Sequence, residues 1–314
     1  MPAPPKSPIP DAAGGRRLAG HTALVFVQIF FALFPVFGKV LFQDGVFSPF
    51  SIAVWRIGFG ASSLLAIAFA LHGRRALPRA RDLPMLLVLS ILGVTANMTL
   101  YLEGLSRSTA TNAGLMMCLI PVFTFVIAAA VKQEVFQAVR ALGVLVALAG
   151  AGLLVWSGEP ELGSEHGLGN LLMAMNTLGY AFYLVLSRPL LARYPAIVVI
   201  AWVFVLAVPF APFLARGTEL VPEASPGVWW ALAFVLVFPT SLAYLLNAFA
   251  LARVRASTTA MYIYAQPLIT GVVSRIWLGE KLSRGTILSS VFIFLGIWLV
   301  SRKRPAAASA PAEA

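Results

Sequence analysis

The chain contains an internal repeat that constrains every other feature of its fold. Residues 104–154 and 250–300 align without a gap at a separation of 146 residues, the distance from Pro121 to Pro267. The same separation pairs six further identical residues: Leu105 with Leu251, Arg107 with Arg253, Ala110 with Ala256, Thr124 with Thr270, Glu134 with Glu280 and Gly150 with Gly296. The chain therefore consists of two related halves that are expected to share one local structure.

The apolar content of the chain predicts an integral membrane protein. Hydrophobic residues make up 60% of the chain and charged residues 11%, whereas about 25% of a soluble domain is charged. The apolar residues form ten segments of roughly 20 residues, the length that crosses a bilayer as a helix. These predicted spans are 21–42, 48–71, 83–103, 108–131, 136–156, 167–188, 195–215, 227–250, 256–278 and 284–301.

The ends of the chain, its single cysteine and its charge distribution argue against a cleaved signal peptide, a disulfide or cysteine metal site, and nucleic-acid binding. The Pro/Ala/Gly-rich stretch 1–20 and the low-complexity stretch 302–314 predict disordered tails, and no cleavage site closes the first span. A single cysteine, Cys118, excludes a disulfide framework and a cysteine metal site. The net charge of +11 lies in short loops, which is typical of cytoplasmic loops facing anionic lipid and argues against nucleic acid.

The distribution of Lys and Arg predicts that both termini are cytoplasmic. Of the 23 such residues, two lie within spans, Lys39 and Arg56. Five fall in loops on the opposite side from the N-terminus: Arg107, Arg216, Arg275, Lys281 and Arg284. The remaining 16 lie on the N-terminal side, which is the cytoplasmic side by the positive-inside rule. Because each repeat has five spans, the second repeat enters the membrane from the opposite side, and inverted repeats are typical of secondary transporters.

Several short segments resemble the EamA family of the drug/metabolite transporter superfamily. The segment Tyr180-Ala181-Phe182-Tyr183 with Val185-Leu186-Ser187-Arg188 is similar to the end of the family's sixth helix. Pro267, Leu278-Gly279-Glu280-Lys281-Leu282 and Gly296 resemble its ninth-to-tenth helix signature, and Arg56 and Gly38-Lys39 match positions in the first hairpin. The chain departs from the family at Phe31-Ala32, where a Trp-Gly pair is common, and at Lys132-Gln133-Glu134.

The resemblance implies an all-α membrane fold with ten transmembrane helices, arranged as two inverted five-helix repeats around a central cavity. The first EamA repeat would be residues 21–156 and the second 167–301. The implied activity is export or uptake of small metabolites, at the bacterial-type cytoplasmic membrane.

Two cations within spans are candidate substrate-binding residues. Arg56 lies about 12 Å deep in the second span at 1.5 Å per residue, and a cation in that position usually faces a cavity or a partner. It could anchor a substrate carboxylate, or it could bond to a neighbouring helix. Lys39 lies near the end of its span, where snorkelling to the interface is the expected behaviour, although a cationic site shared with Arg56 stays open.

Polar side chains recur at helical spacing in four spans and predict a shared polar cavity. The stripes are Asn97 with Tyr101, Asn176 with Tyr180 and Tyr183, Tyr244 with Asn247, and Thr259 with Tyr262, Gln266 and Thr270. For any one residue taken alone an interhelical hydrogen bond is the favoured interpretation, and it is the four stripes together that favour the cavity. Pro121 and Pro267 predict breaks at equivalent places in the two repeats, which mark a transport site or a packing kink. Glu134 and Glu280 are predicted to cap turns or to pair with Lys132 and Lys281.

The sequence favours a secondary transporter of a small polar or zwitterionic metabolite, an amino acid or related compound, moved outward. Glu103 is the only carboxylate within a span and no P-loop motif is present, so neither a carboxylate proton relay nor direct drive by ATP is expected. No cofactor or metal is predicted, and a homodimer is left open. The alternatives are a membrane-embedded lipid-modifying enzyme and, among transporters, a nucleotide-sugar or sugar-phosphate carrier.

Overall fold

The structure, a computed structural model, describes residues 10–132, 138–156, 163–251, 253 and 262–301. Its longer elements, in these residues, are all α-helices. They are α1 Pro10–Phe42, α2 Pro49–His72, α3 Leu83–Ser90, α4 Ala96–Arg107, α5 Ala110–Met117, α6 Ile120–Ala130, α7 Ala138–Trp156, α8 Gly163–Leu191, α9 Ala196–Val205, α10 Ala211–Leu214, α11 Pro226–Val237, α12 Ala243–Leu251, α13 Gln266–Trp277 and α14 Arg284–Ser301. The predicted all-α class is therefore confirmed.

The described helices include seven segments that are long and apolar enough to cross a membrane. They are Leu18–Gly45, Pro49–Ala76, Ala80–Arg107, Ala110–Ala130, Glu165–Leu191, Ala196–Leu214 and Pro226–Asn247. Shorter apolar helices cover Ala138–Leu153 and Arg284–Leu299. Large apolar side chains such as Leu145, Leu268 and Ile276 point outward and are mostly exposed, as expected where lipid rather than water surrounds a protein.

The first helix begins earlier than the apolar pattern predicts. Helix α1 starts at Pro10, so part of the stretch predicted as a disordered tail is helical. Ala, Leu and Arg are strong helix formers, and proline is tolerated in a first helical turn. Residues 1–9 and 302–314, Glu134 in the first repeat and Thr259 of the ninth-span stripe lie outside the described residues.

Local signals in the sequence account for several helix ends. The Ser48 hydroxyl accepts a hydrogen bond from the backbone N–H of Ser51 at 3.0 Å, with Pro49 as the first residue of α2. Thr109 caps α5 in the same way by accepting from the N–H of Asn112. Both are the side-chain caps expected of Ser and Thr at a helix start. Gly73 ends α2 with a φ of 54°, a backbone conformation that favours glycine.

Two π-helical turns interrupt the bundle at related places. Ile91–Thr95 joins α3 to α4, and Phe238–Leu242 joins α11 to α12. Their first residues are 147 residues apart, one more than the separation of the later repeat segments. A π-turn inserts an extra residue in a helix and displaces the side chains around it, and such turns are frequent at functional sites.

Helices α7 and α14 pack closely through two glycines. A Cβ placed on Gly150 would lie 2.8 Å from the Cβ of Phe292, and one on Gly296 would lie 2.5 Å from the backbone N of Ala147. Gly150, late in α7, thus contacts Phe292, and Gly296, later in α14, contacts Ala147, which is earlier in α7. The two helices therefore run antiparallel. Small residues permit this close approach, as is common between membrane helices.

Two tryptophans bind α2 and α9 to distant backbone in the same manner. The indole N–H of Trp55 donates to the carbonyl of Leu220 at 2.7 Å, and that of Trp202 donates to the carbonyl of Ala76 at 2.7 Å. The two tryptophans are 147 residues apart. They lie towards opposite ends of the bundle, because α2 and α9 also run antiparallel, with Gly60 against the ring of Phe204.

We name the two ends of the bundle by their carboxylates. At the Asp82 end, the carboxylate of Asp82 accepts hydrogen bonds from Arg193 at 2.8 Å and from the hydroxyl of Tyr194 at 2.6 Å. At the Glu280 end, the carboxylate of Glu280 accepts from the backbone N–H groups of Ala110 and Thr111 at 2.7 and 3.1 Å. These contacts connect helices that lie far apart in the sequence.

Candidate functional site

Arg56 is buried in the middle of the bundle, with 5% of its surface exposed. Its Nε group donates a hydrogen bond to the hydroxyl oxygen of Thr240 at 2.9 Å. Its guanidinium carbon lies 4.1 Å from the centre of the Phe34 ring, which is within the range of a cation–π interaction. Three helical segments, α2, α1 and the second π-turn, therefore hold this side chain.

The terminal Nη groups of Arg56 are free to bind a ligand. Among the described residues they donate no hydrogen bond, and no carboxylate lies within ion-pair distance of the guanidinium. Removing a cation from water is costly, and buried charges are normally paired with an opposite charge. The site therefore has one buried positive charge and up to four N–H donors available for an anionic group.

The ring of Phe34 lies over this charge, and further aromatic rings pack in the interior of the bundle. The central aromatic cluster consists of Phe31, Phe34, Tyr101, Tyr180, Tyr183, Phe204 and Tyr244. Phe34 stacks on Tyr101 with ring centres 5.1 Å apart, and Tyr180 stacks on Tyr183 at 5.4 Å. Tyr244 lies edge-on to Phe31 and to Phe204, each at 6.0 Å. Tyr101 is linked to Arg56 through Phe34, whose ring contacts both side chains.

The structure brings together four of the predicted site residues and supplies partners that the sequence did not reveal. Arg56, Tyr101, Tyr180 and Tyr183 belong to the central region, with Tyr244 of the eighth-span stripe. Thr240 and Phe34 were missed. Thr240 lies four residues before Tyr244 and seven before Asn247, so the helical spacing used for the other stripes could have found it. Phe34 carries no such signal, because it is one of many apolar residues in α1.

The predicted asparagines form an interhelical pair. The side-chain amide of Asn176 donates to the backbone carbonyl of Asn97 at 2.7 Å, and that of Asn97 donates in return to the carbonyl of Asn176 at 3.5 Å. This reciprocal arrangement joins α4 to α8 beside the cluster. It corresponds to the interhelical hydrogen bond that was the alternative for each polar stripe.

Gln266 and Tyr262 bind to α1 away from the central cluster. The amide of Gln266 donates to the side-chain oxygen of Gln28 at 2.6 Å, and the hydroxyl of Tyr262 lies 2.9 Å from Nδ1 of His21. One turn further, Thr270 donates to the carbonyl of Ala32 at 2.7 Å. The ninth-span stripe therefore holds α13, and Tyr262 four residues before it, against α1.

Lys39 bonds to backbone carbonyls at the end of α4, and its part in a substrate site stays a prediction. Its ammonium group donates to the backbone carbonyls of Leu105, Ser106 and Ser108 at 3.3, 3.4 and 2.8 Å. A lysine has three N–H donors, so these contacts engage all of them. Lys39 thus satisfies the carbonyls at the end of α4, and it does not reach for water as a snorkelling lysine would.

The two prolines lie where helices restart. Pro121 is in the first turn of α6, after a break at Cys118 and Leu119, and Pro267 is in the first turn of α13. A Cβ on Gly114 would lie 3.3 Å from the Cα of Pro267, so the start of α13 packs closely on α5. The breaks are present, and their part in gating stays a prediction.

The predicted structural role of Glu280 is confirmed, although its partner is not its own turn. Besides the two backbone N–H groups, its carboxylate accepts from the hydroxyl of Thr111 at 2.8 Å. It thus caps the N-terminus of α5 from across the bundle. Its negative charge also interacts favourably with the positive end of the helix dipole. No cluster of His, Cys, Asp and Glu suited to a metal ion occurs within the described residues.

One protein family matches almost all of the helical part of the chain. The model of the EamA-like transporter family matches residues 18–156 and, a second time, residues 167–302. The chain belongs to the EamA-like transporter family. The resemblance found in the short motifs is thereby confirmed over both halves.

Known EamA relatives agree with this membership. The uncharacterized transporter YyaM of Bacillus subtilis is 24% identical over 289 residues, which cover 90% of this chain and 94% of YyaM. A "probable terminal-alkyne amino-acid exporter" of Streptantibioticus cattleyicolor is 27% identical over 247 residues, covering 77% and 81%. A solved crystal structure superposes with a TM-score of 0.61 at 20% identity and covers 91% of this chain and 97% of that one. This EamA protein is thus a multi-pass membrane transporter of a small molecule.

Proposed function

We propose that this EamA protein is a secondary transporter that exports a small carboxylate-bearing metabolite, an amino acid or a related compound, by alternating access. The free guanidinium of Arg56 carries the proposal. A carboxylate matches its planar fork in size and charge and can form two parallel hydrogen bonds with it. Binding would then neutralise a charge that is buried without a carboxylate partner among the described residues.

The central aromatic cluster suits the rest of such a molecule. The stacked rings of Tyr180 and Tyr183 and the rings around Tyr244 offer flat apolar surface to a side chain. The faces of these rings also attract an ammonium group. A zwitterion with an apolar side chain fits both features, and export is supported by the relative that is named as an amino-acid exporter.

The arrangement of the helices supports two inverted five-helix repeats. Three pairs of features recur at related positions: the π-turns, the tryptophans Trp55 and Trp202, and the glycines Gly150 and Gly296. The equivalent helices α7 and α14 run antiparallel, as do α2 and α9. Equivalent helices in an inverted repeat must run in opposite directions, and this symmetry lets one central site open alternately to two sides.

The direction of insertion follows from charge. The excess of Lys and Arg on the side of the termini supports a cytoplasmic position for both termini. The Asp82 end of the bundle would then face the cytoplasm, and the Glu280 end would face outward. Transport in this scheme needs no cofactor, and the central site would pass its ligand from the Asp82 end to the Glu280 end.

Binding of L-phenylalanine and its fragments to the purified protein tests the substrate class. We expect L-phenylalanine and 3-phenylpropanoate, which keep the carboxylate, to raise the unfolding temperature in detergent. Phenethylamine, which has the ring and ammonium but no carboxylate, should bind at least tenfold more weakly. A ligand at 100 times its Kd stabilises the folded protein by about 2.7 kcal/mol.

The same measurement separates the alternative carriers. Glucose 6-phosphate and a nucleotide sugar carry phosphate, which a guanidinium also binds, and the base of a nucleotide sugar could also stack on the aromatic cluster. Stabilisation by these compounds and not by L-phenylalanine would replace the proposed substrate class. Uptake of labelled L-phenylalanine into liposomes that contain the protein then establishes transport, and a lack of uptake would contradict it.

A further inference from the structure

The two π-turns present different residues at the same position. Gly93 is the third residue of Ile91–Thr95, and Thr240 is the third residue of Phe238–Leu242. The two are 147 residues apart, as are the turns themselves. Thr240 contacts the side chain of Arg56, and Gly93 lies against the ring of Tyr183. Neither contact recurs at the other π-turn.

Thr240 holds the guanidinium of Arg56 through a two-step hydrogen-bond chain. Its hydroxyl donates to the carbonyl of Val235, five residues earlier, at 2.7 Å. The hydroxyl oxygen then accepts the hydrogen bond from Nε of Arg56 at 2.9 Å. Both bonds are buried, and the first fixes the hydroxyl so that its lone pair points at α2. With Nε engaged by Thr240, the Nη groups keep their N–H donors, which bond no other described residue.

A neighbouring contact makes this orientation firmer. The hydroxyls of Ser63 in α2 and Ser241 in the π-turn lie 2.6 Å apart. Ser63 is seven residues after Arg56, two helical turns along the same face of α2. The π-turn is therefore joined to α2 at two points, which fixes Thr240 relative to Arg56.

Gly93 makes room for the ring of Tyr183. A Cβ on Gly93 would lie 2.5 Å from Cδ2 of Tyr183 and 2.9 Å from its Cγ. Any side chain at this position would therefore displace a ring that stacks on Tyr180. The π-turn directs this position towards α8, and the absence of a side chain lets the tyrosine approach the backbone.

We propose that Gly93 and Thr240 are positioning residues that place the two sides of the substrate site, Tyr183 and Arg56, from equivalent points in the two repeats. The inference rests on the proposed function, in which Arg56 binds the carboxylate of the substrate. It adds the reason that the site is asymmetric although the two repeats are related. The first π-turn has a glycine at this position, which leaves room for the Tyr183 ring. The second has a threonine, whose hydroxyl orients the Arg56 guanidinium.

Thr240→Val and Thr240→Ser test the first half of the proposal. Valine has nearly the shape of threonine but no hydroxyl, so Nε of Arg56 loses its acceptor and the guanidinium its orientation. We expect the KM for L-phenylalanine uptake in liposomes to rise about tenfold, a typical effect of one hydrogen bond to a charged group. Thr240→Ser keeps the hydroxyl and should restore most of the affinity.

A double-mutant cycle with Arg56→Gln distinguishes positioning from general packing. If Thr240 acts through the guanidinium, Thr240→Val should raise KM in the wild-type background and add less than about twofold when Arg56 is already glutamine. Equal effects in both backgrounds, or a wild-type KM for Thr240→Val, would overturn the role of Thr240. Normal uptake by Arg56→Gln would instead overturn the proposed function, so the two failures are distinct.

Gly93→Ala tests the second half. The added methyl group must displace the Tyr183 ring, so we expect at least a fivefold loss of uptake. In a Tyr183→Leu background the same change should cost little more. Gly152→Ala is the matched control, because a Cβ at Gly152 would have no atom within 4 Å. Unfolding temperatures verify that each variant is folded, and equal losses with and without the Tyr183 ring would refute the role of Gly93.

Discussion

The charge of Arg56 is unusual because the residue is held by neutral groups. Its partners in the structure are a hydroxyl and an aromatic ring, at Thr240 and Phe34. A structural arginine in a membrane helix would normally donate its N–H groups to carbonyl or carboxylate oxygens. The free Nη groups therefore favour the ligand-binding role over the structural one, which the sequence left equal.

Arg56→Lys and Arg56→Gln test this role at the level of one side chain. Lysine keeps the charge but loses the planar fork, so we expect partial transport with a KM for L-phenylalanine raised about tenfold. Glutamine removes the charge and should raise KM by more than the lysine variant does, with uptake still measurable and the protein folded. Arg216→Gln is the control, since Arg216 is an exposed arginine that also lies over an aromatic ring, that of Phe213. Equal uptake by all three variants would exclude Arg56 from the site.

Glu280 makes a separate prediction about stability. Its carboxylate accepts three hydrogen bonds that cap α5 from across the bundle. Glu280→Gln removes the charge that favours these N–H groups, and we expect a loss of about 1–3 kcal/mol of stability with a lower unfolding temperature. Glu219→Gln, at an exposed loop position, should leave the unfolding temperature unchanged. An unaltered temperature for Glu280→Gln would show that the cap contributes little.

At the scale of helices, the contact between α7 and α14 depends on small residues. A Cβ at Gly296 would come within 2.5 Å of the α7 backbone, so Gly296→Ala must push the two helices apart. Overpacking of this kind costs about 1–3 kcal/mol. We expect a lower unfolding temperature and no change in the KM of the remaining active protein, because the pair is separate from the central cluster. Gly152→Ala on the exposed side of α7 is the control, and an equal effect of both changes would contradict the close contact.

At the scale of the whole molecule, the two tryptophan hydrogen bonds act at opposite ends. Trp55 binds Leu220 in the loop that leads to α11, and Trp202 binds Ala76 in the loop that leads to α3. In the proposed alternating-access cycle, loss of either bond should favour opening at its own end. Trp55→Phe and Trp202→Phe keep an aromatic ring but remove the indole donor. The two variants therefore remove equivalent hydrogen bonds at opposite ends of the bundle.

Distances between spin labels measure this effect. One pair at the exposed positions Gln43 and Glu219 reports on the end near Trp55, and another at Arg75 and Ala192 reports on the end near Trp202. We expect Trp55→Phe to lengthen the first distance and Trp202→Phe to lengthen the second. The native Cys118 is fully buried and can be replaced by alanine. Identical responses of the two variants would argue against a cycle with two opposed openings.

The sequence by itself determined the all-α class and the family of this protein. A bilayer requires helices of a minimum length with apolar surfaces, so hydropathy alone predicted apolar spanning segments, of which seven are long enough in the described residues, and the repeat and the EamA motifs appear in the order of residues. The one deeply placed cation, Arg56, was visible for the same reason, since a charge in lipid is rare and costly.

Only the tertiary structure decided which polar residues meet. Arg56 and Thr240 are 184 residues apart in the chain, and Gln28 and Gln266 are 238 apart. Helical spacing shows which residues share a face of one helix but not which helix lies opposite. The bonds that Asn97, Asn176 and Lys39 make between helices could therefore not be read from the sequence. The π-turns were also invisible in the sequence. One extra residue in a helix changes the direction in which Gly93 and Thr240 face, but it does not change the hydropathy pattern.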